Sequence, residues 1–167
     1  TYSLLLFYLN ESKMKLNQFT DIGIRALIYL AQSSTEPPFT IEKMAKDLQV
    51  SRNHLVKVIH FMAKQQWLTT SRGKGGGVKL THPLAHYSIG HLIKTLQTHN
   101  AVSAHLVNCD APECVLRASC GLPYLLDQAL SQFYQFLNQY TLQDILRRPM
   151  ASPTISAHQL IDILAIS

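Results

Sequence analysis

The sequence predicts a mainly α-helical fold that carries one small β-hairpin, and three observations predict it. Apolar residues recur at helical spacing through most of residues 19–64, two short alternating runs flank a glycine cluster within 68–83, and a further apolar stripe runs from 124 to 146. With 167 residues, 47% of them hydrophobic, the chain suits one domain, or a small domain with an appendage, around a buried core.

The first run, FTDIGIRALIYLAQ (19–32), is apolar nearly all round, with Phe19, Ile22, Ala26, Leu27 and Leu30 at helical spacing; it reads as a buried first helix. Glu36, Pro37 and Pro38 end it. Thr40 can cap the next segment, TIEKMAKDL (40–48), where Ile41, Met44, Ala45 and Leu48 form the apolar stripe and Glu42 suits the positive end of the helix dipole. Gln49 and Val50 make a short link to Ser51, a second N-cap. In SRNHLVKVIHFMAK (51–64), Leu55, Ile59 and Met62 share one face, while Asn53, Lys57, His60 and Lys64 share the other. Two short capped helices joined by a tight turn make a helix-turn-helix.

LTTSRGKGGGVKLTHP (68–83) then alternates like two short strands, and four of the seven glycines fall within residues 73–77. A phosphate-cradling P-loop needs Ser or Thr directly after its Lys; Gly75 follows Lys74, which excludes that reading. A hairpin directly after a helix-turn-helix is the wing of a winged helix, with glycines that let the backbone approach a sugar-phosphate chain.

Charge supports a nucleic-acid partner for this half. Residues 14–82 hold ten Lys/Arg against four Asp/Glu, whereas residues 83–167 hold four against five. A basic module followed by a near-neutral one fits a polyanion binder joined to something that does not touch the polyanion. The N-terminal residues of a recognition helix enter the major groove, where Arg reads guanine and Asn reads adenine through paired hydrogen bonds. Ser51, Arg52, Asn53 and His54 occupy that end, with Lys57 one turn further. Arg72, Lys74 and Lys79 of the wing are placed to reach phosphates or a minor groove.

In the second half, Ser88 can cap a helix through Gln97, with Ile89, Leu92, Ile93 and Leu96 on one face. Residues 124–146 read as one long helix with Leu126, Leu130, Phe133, Leu137 and Tyr140 at alternating steps of four and three. That spacing is a helix–helix seam, expected between two copies of the chain, with an intrachain seam as the other reading.

All three cysteines, Cys109, Cys114 and Cys120, lie within CDAPECVLRASC (109–120). Three thiols cannot all pair, and their clustering differs from the dispersed even set of a secreted disulfide framework, so a reducing cytoplasm is expected. Three thiolates make an incomplete metal site that needs a fourth ligand. Residues 4–9, LLLFYL, lack the basic flank and cleavage site of a signal peptide and are too few to span a bilayer, so no membrane association is expected. Met14 begins the patterned sequence, and residues 1–13 read as an extension, either a vector remnant or a translated upstream region, to which no function is assigned.

The segments MKLNQFTDIGIRALIYLA (14–31), VSRNHLVKVI (50–59), TTSRGKGGGVKL (69–80), LVNCDAPECVLRASC (106–120) and YTLQDIL (140–146) together resemble the NsrR family of nitric-oxide-responsive iron–sulfur repressors, in the winged-helix group that also contains IscR. The resemblance covers roughly residues 14–147 in order. It implies a homodimeric transcriptional repressor, not an enzyme, that binds a palindromic double-stranded DNA operator and carries one [4Fe–4S] cluster per subunit, with [2Fe–2S] as the other cluster form and loss in air as a known hazard. Reaction of the cluster with nitric oxide releases the operator. IscR-like chains carry a His soon after the third Cys, and none follows Cys120 here. NsrR-like chains can use an Asp near the start of the first helix, supplied by the other subunit, and the matching residue is Asp21. Read from its residue type alone, Asp21 is equally a helix-capping residue. His105, four residues before Cys109, is the other candidate ligand, since imidazole can replace thiolate on iron.

Other uses of the thiols stay open at this level: a structural zinc site completed by Asp21 or a His, or a redox switch pairing Cys109 with Cys114. An electron-transfer protein gains nothing from a basic winged helix, and no nucleophile motif surrounds any Cys as a hydrolase requires. The expected organisation is the extension (1–13), the winged helix-turn-helix domain (14–82), a cluster-binding loop with a dimerisation helix (83–147), and a tail (148–167) with one short helix from Ser156.

Overall fold

The structure is a computed structural model that describes residues 15–32, 39–73, 75–99, 106–107, 109 and 113–147. The N-terminal extension, the Glu36-Pro37-Pro38 stop, Lys74, His105 and the tail lie outside the described residues. Along the chain run α1 (Gln18–Gln32), α2 (Ile41–Asp47), α3 (Arg52–Lys64), β1 (Leu68–Thr70), β2 (Val78–Leu80), a 3-10 turn (Leu84–His86), α4 (Ile89–Thr98), α5 (Leu122–Leu137) and α6 (Leu142–Arg147). The mainly helical fold with one antiparallel hairpin is the one the sequence predicts.

Asn17 starts α1. Its side-chain oxygen accepts from the Thr20 backbone N–H at 2.8 Å, and its backbone N–H and side-chain amide bind Gln97 at the far end of α4. The cap is therefore Asn17 rather than Asp21, which sits one turn inside the helix. Ile22, Ala26, Leu27 and Leu30 are buried, as their spacing predicts. Thr40 caps α2 through the Lys43 N–H at 3.2 Å. Ser51 occupies the N-cap position of α3, but its hydroxyl makes no capping bond. The two helices of the helix-turn-helix stop alike. Val50 N–H reaches back to Ala45 O and Trp67 N–H to Met62 O, with Gln49 (φ 54) and Gln66 (φ 59) in the left-handed region that favours glycine.

The wing pairs Leu68 with Leu80 and Thr70 with Val78. Val78 N–H also bonds Phe39 O at 3.0 Å, a short third partner that the alternation of 68–83 does not reveal. The wing's base is pinned by Tyr87. Its buried hydroxyl donates to Trp67 O at 2.7 Å and accepts from the Thr81 and His82 N–H groups, both at 3.0 Å.

One core joins both halves. Leu27, Met44, Leu55, Val58, Met62 and Leu96 are fully buried, so α1 to α4 surround a single apolar centre. Helices α4 and α5 approach closely because Gly90 has no side chain: a Cβ there would lie 2.4 Å from Tyr134 O.

Two expectations for the second half need correction. The predicted helix over 124–146 is two helices, α5 and α6, separated by a turn. Thr141 caps α6, its N–H and hydroxyl both donating to Asp144 Oδ2 at 2.9 and 2.7 Å, while Ile89 N–H bonds Tyr140 O and Leu142 N–H bonds Tyr87 O. These bonds tie the turn to the start of α4 and end the long helix. The expected seam between copies is also turned inward. Leu130, Phe133, Leu137 and Tyr140 pack against the chain's own core, and Leu126 is half-buried.

Candidate nucleic-acid interface and cysteine loop

Helix α3 is split cleanly by its sequence. Leu55, Val58, Ile59 and Met62 are buried, while Arg52, Asn53, His54, Lys57, His60 and Lys64 are exposed, and Ser51 beside them is exposed as well. On the wing, Arg72 and Lys79 are exposed. All the described DNA-reading candidates thus lie at the surface, at the N-terminal end of α3 and on the hairpin. The wing turn is closed by Ser71 N–H to Gly77 O and Gly76 N–H to Gly73 O, both 2.9 Å, with Gly73 (φ 94) and Gly75 (φ 87) in conformations that disfavour side chains. A Cβ on Gly76 would lie 2.4 Å from Ser71 O, so the tight turn excludes larger residues there as well. Between α2, α3 and the wing lies a cleft of about 350 Å³, lined in part by Glu42, His60, Arg72 and Gly73.

One partner at this surface escapes sequence reasoning. Glu42 of α2 accepts from Arg52 Nε at 2.9 Å and lies 2.8 Å from Arg52 Nη2. The Arg52 hydrogen bond holds the Glu42 carboxyl below its ordinary range. Lys43, Asp47 and Tyr29 form a second polar set on α1 and α2, with Asp47 Oδ2 at 2.7 Å from Lys43 Nζ and 2.6 Å from the Tyr29 hydroxyl.

The three cysteines are all half-buried, and no disulfide joins them. Cys114 N–H donates to Cys109 O at 3.1 Å, closing the first part of the loop, and Arg117 N–H to Cys114 O at 3.1 Å continues it as turns. Asp21 faces Arg25, whose Nε donates to it at 2.9 Å, a one-turn ion pair on the half-exposed side of α1. Among the described residues no group of three His, Cys, Asp or Glu side chains is close enough to hold a metal ion. A single chain therefore does not assemble the predicted ligand set. The donor types still suit a cluster, since three thiols outside disulfides on one loop supply the soft anchors that iron–sulfur sites use.

The helix entering this loop is fastened to the reading head. His99, just past α4, stacks on Phe19 of α1 at 4.6 Å and tilts against Phe61 of α3 at 4.0 Å between ring centroids. Gln97 Oε1 lies 2.8 Å from the fully buried Thr20 hydroxyl. No helix among the described residues is long and apolar enough to cross a membrane.

Comparison with known proteins accounts for this combination. Residues 16–148 match the Rrf2 family, described as an iron-dependent transcriptional regulator. The chain is 37% identical over 136 residues to the HTH-type transcriptional regulator NsrR of Bacillus licheniformis, covering 80% of this chain and 92% of that protein. It is 33% identical over 134 residues to NsrR of Oceanobacillus iheyensis, covering 80% and 90%. Its fold is similar to that of T. potens IscR, with a TM-score of 0.61 at 18% identity, covering 89% of this chain and 97% of that one. These relatives are regulators rather than enzymes, in keeping with the resemblance carried by the motifs. With one match spanning the helix-turn-helix, the wing and the cysteine loop together, the chain belongs to the Rrf2 family of transcriptional regulators.

Proposed function

We propose that the chain is a homodimeric, cytoplasmic repressor that binds a palindromic operator and senses nitric oxide through a [4Fe–4S] cluster held by Cys109, Cys114, Cys120 and the other subunit's copy of Asp21. The observation that carries this reading is the placement of the cysteines: all three follow a helix whose end is clamped by His99 and Gln97 onto α1 and α3. Residues 100–108 join that clamp to Cys109 in sequence, the route by which a change at the loop would reach the recognition helix.

In the DNA complex, Arg52, Asn53, His54 and Lys57 face the major groove, Ser51 offers its hydroxyl to a phosphate, and Arg72, Lys74 and Lys79 meet the backbone from the wing. A cluster bound at the loop would be held by the three thiolates and would supply iron open to reaction with nitric oxide. The chain's residues set how easily that happens. The cysteines would give three strong anchors, whereas Asp21, whose Oδ1 accepts from Arg25, would give a weaker oxygen ligand to the other subunit. Losing that cross-link frees two reading heads whose spacing must match one helical turn (~34 Å) or a multiple, so a small reorientation lowers operator affinity.

The dimer surface is the outer stripe of α5 rather than its inner one. Leu122, Leu125 and Phe136 are exposed, and with Ala129 and Gln132 they recur at steps of three and four.

Absorption of anaerobically purified protein tests the cofactor: a broad visible band supports a cluster, and a colourless protein with stoichiometric zinc overturns it in favour of a structural site. Mixed dimers test the cross-subunit ligand. Pairing an Asp21→Ala chain with a Cys114→Ala chain leaves one whole site if Asp21 acts in trans. It leaves two singly damaged sites if Asp21 acts within its own chain. A mixed dimer with no wild-type-like cluster would sink ligation in trans.

A further inference from the structure

A guanidinium carries two flat hydrogen-bonding edges, one formed by Nε with Nη2 and one by Nη1 with Nη2. In Arg52 the first edge is occupied. Glu42 Oε1 receives Nε at 2.9 Å and lies 2.8 Å from Nη2. The second edge keeps the paired donors that can bond the O6 and N7 of guanine in the major groove.

Glu42 is well placed to fix that edge, because it stands on a different helix. It lies in the first turn of α2, whose start Thr40 caps, whereas Arg52 opens α3. The pair thus crosses the helix-turn-helix instead of running along one helix. Its contribution to stability is small, since the side chains are 58% and 63% exposed and such pairs are screened by solvent. A carboxylate at a DNA-facing surface also repels phosphates and weakens binding to every sequence. An acidic group there works against affinity, and what it offers in exchange is orientation: an arginine held in one plane loses less freedom when it docks on a base.

We propose that Glu42 is a specificity-determining positioning residue, bracing Arg52 across the helix-turn-helix so that its Nη1–Nη2 edge reads one guanine of each operator half-site. This rests on the reading of α3 as the recognition helix. The hydrogen bond from Arg52 favours the anionic form of Glu42 and lowers its pKa.

The test uses the full-length, cluster-loaded protein under anaerobic conditions at one fixed salt concentration. The probes are a palindromic duplex selected by the wild-type protein from a random pool, the same duplex with each base pair of the half-site replaced in turn, and an unrelated duplex. Binding is measured for wild type, Glu42→Gln, Glu42→Ala and Arg52→Ala, with thermal melts confirming that each variant folds. Arg52→Ala is expected to lose about 10- to 100-fold of discrimination at one guanine. Both Glu42 variants are expected to lose about 3- to 10-fold at that same position, while binding the unrelated duplex as tightly as wild type or about twofold tighter, because one negative charge is gone. A residue with a purely structural role weakens all duplexes together, and that result in the Glu42 variants would overturn the proposal. Unchanged discrimination in the Glu42 variants beside a loss in Arg52→Ala overturns the brace and leaves the recognition helix standing. No loss in Arg52→Ala at any position overturns both.

Discussion

The reading head and the cysteine-bearing half bury their apolar residues in different ways. In α1 to α3 the apolar positions are closed within the chain: Leu27, Met44, Leu55, Val58 and Met62 are fully buried. Helix α5 buries only Tyr134 and leaves Leu122, Tyr124, Leu125 and Phe136 49–72% exposed. The thiols share that half-finished character, each partly buried and none placed with two other ligands in the described chain. The reading head closes its own core, while the second half leaves apolar side chains and thiols uncovered, which fits the proposed completion by a second copy and a cofactor.

The largest effect belongs to the complete half. Leu55→Ala, at a fully buried site of α3, is expected to destabilise the fold by about 2–5 kcal/mol in chemical denaturation. A loss below about 1 kcal/mol would mean that the head's core is not close-packed.

Next comes the open half. Leu125→Asp with Phe136→Asp should leave helix content unchanged, because both side chains are exposed, yet give monomers in ultracentrifugation. Those monomers should bind the palindrome at least about 100-fold more weakly, since two linked half-sites become one. Dimers that persist would move the interface away from this stripe. Leu130→Asp with Phe133→Asp makes the contrasting pair: those side chains pack inward, so melting of the α4–α5 contact is expected instead.

A smaller effect is expected at the interface. Asn53→Ala should relax preference at one base pair by about 1–3 kcal/mol and leave the melting temperature alone, since Asn53 is exposed and does not support the core. Equal weakening on every sequence would assign Asn53 to phosphate contact.

The smallest concerns the turn between α2 and α3. Gln49→Gly, at φ 54, should raise stability by up to about 1 kcal/mol, because glycine enters the left-handed region without steric cost. A decrease would mean that the Gln49 side chain makes a contact worth more than that strain.

How much of this was legible in the sequence follows the same division. The helices of the head and the wing could be placed from Leu55, Ile59 and Met62 at helical spacing and from the glycines of 73–77, because local period and turn chemistry decide those elements. The end of α5 was missed because the apolar stripe continues through Leu137 to Tyr140. The signal that breaks it, Thr141 followed three residues later by Asp144, is a short capping pattern inside a strong periodic one. The stripe's partner stays open in the sequence for a plainer reason: spacing shows that a face is apolar, not which helix covers it. The capping alternative for Asp21 rests on residue type alone, whereas Asn17, tied to Gln97 eighty residues away, takes that position. The Glu42–Arg52 pair and the His99 clamp join separate helices, so nothing local announces them. The ligand role of Asp21 came from family resemblance alone.

In the proposed function the cysteine loop, when loaded, holds the reading heads in register. The most direct test is an anaerobic titration of the selected palindrome with cluster-loaded protein, repeated after stoichiometric nitric oxide, with the Cys114→Ala variant alongside. Tight binding is expected only from loaded wild type, with affinity at least about 100-fold lower after nitric oxide and in the variant, because two linked half-sites no longer engage together. Equal affinity for the palindrome in all three samples would contradict it.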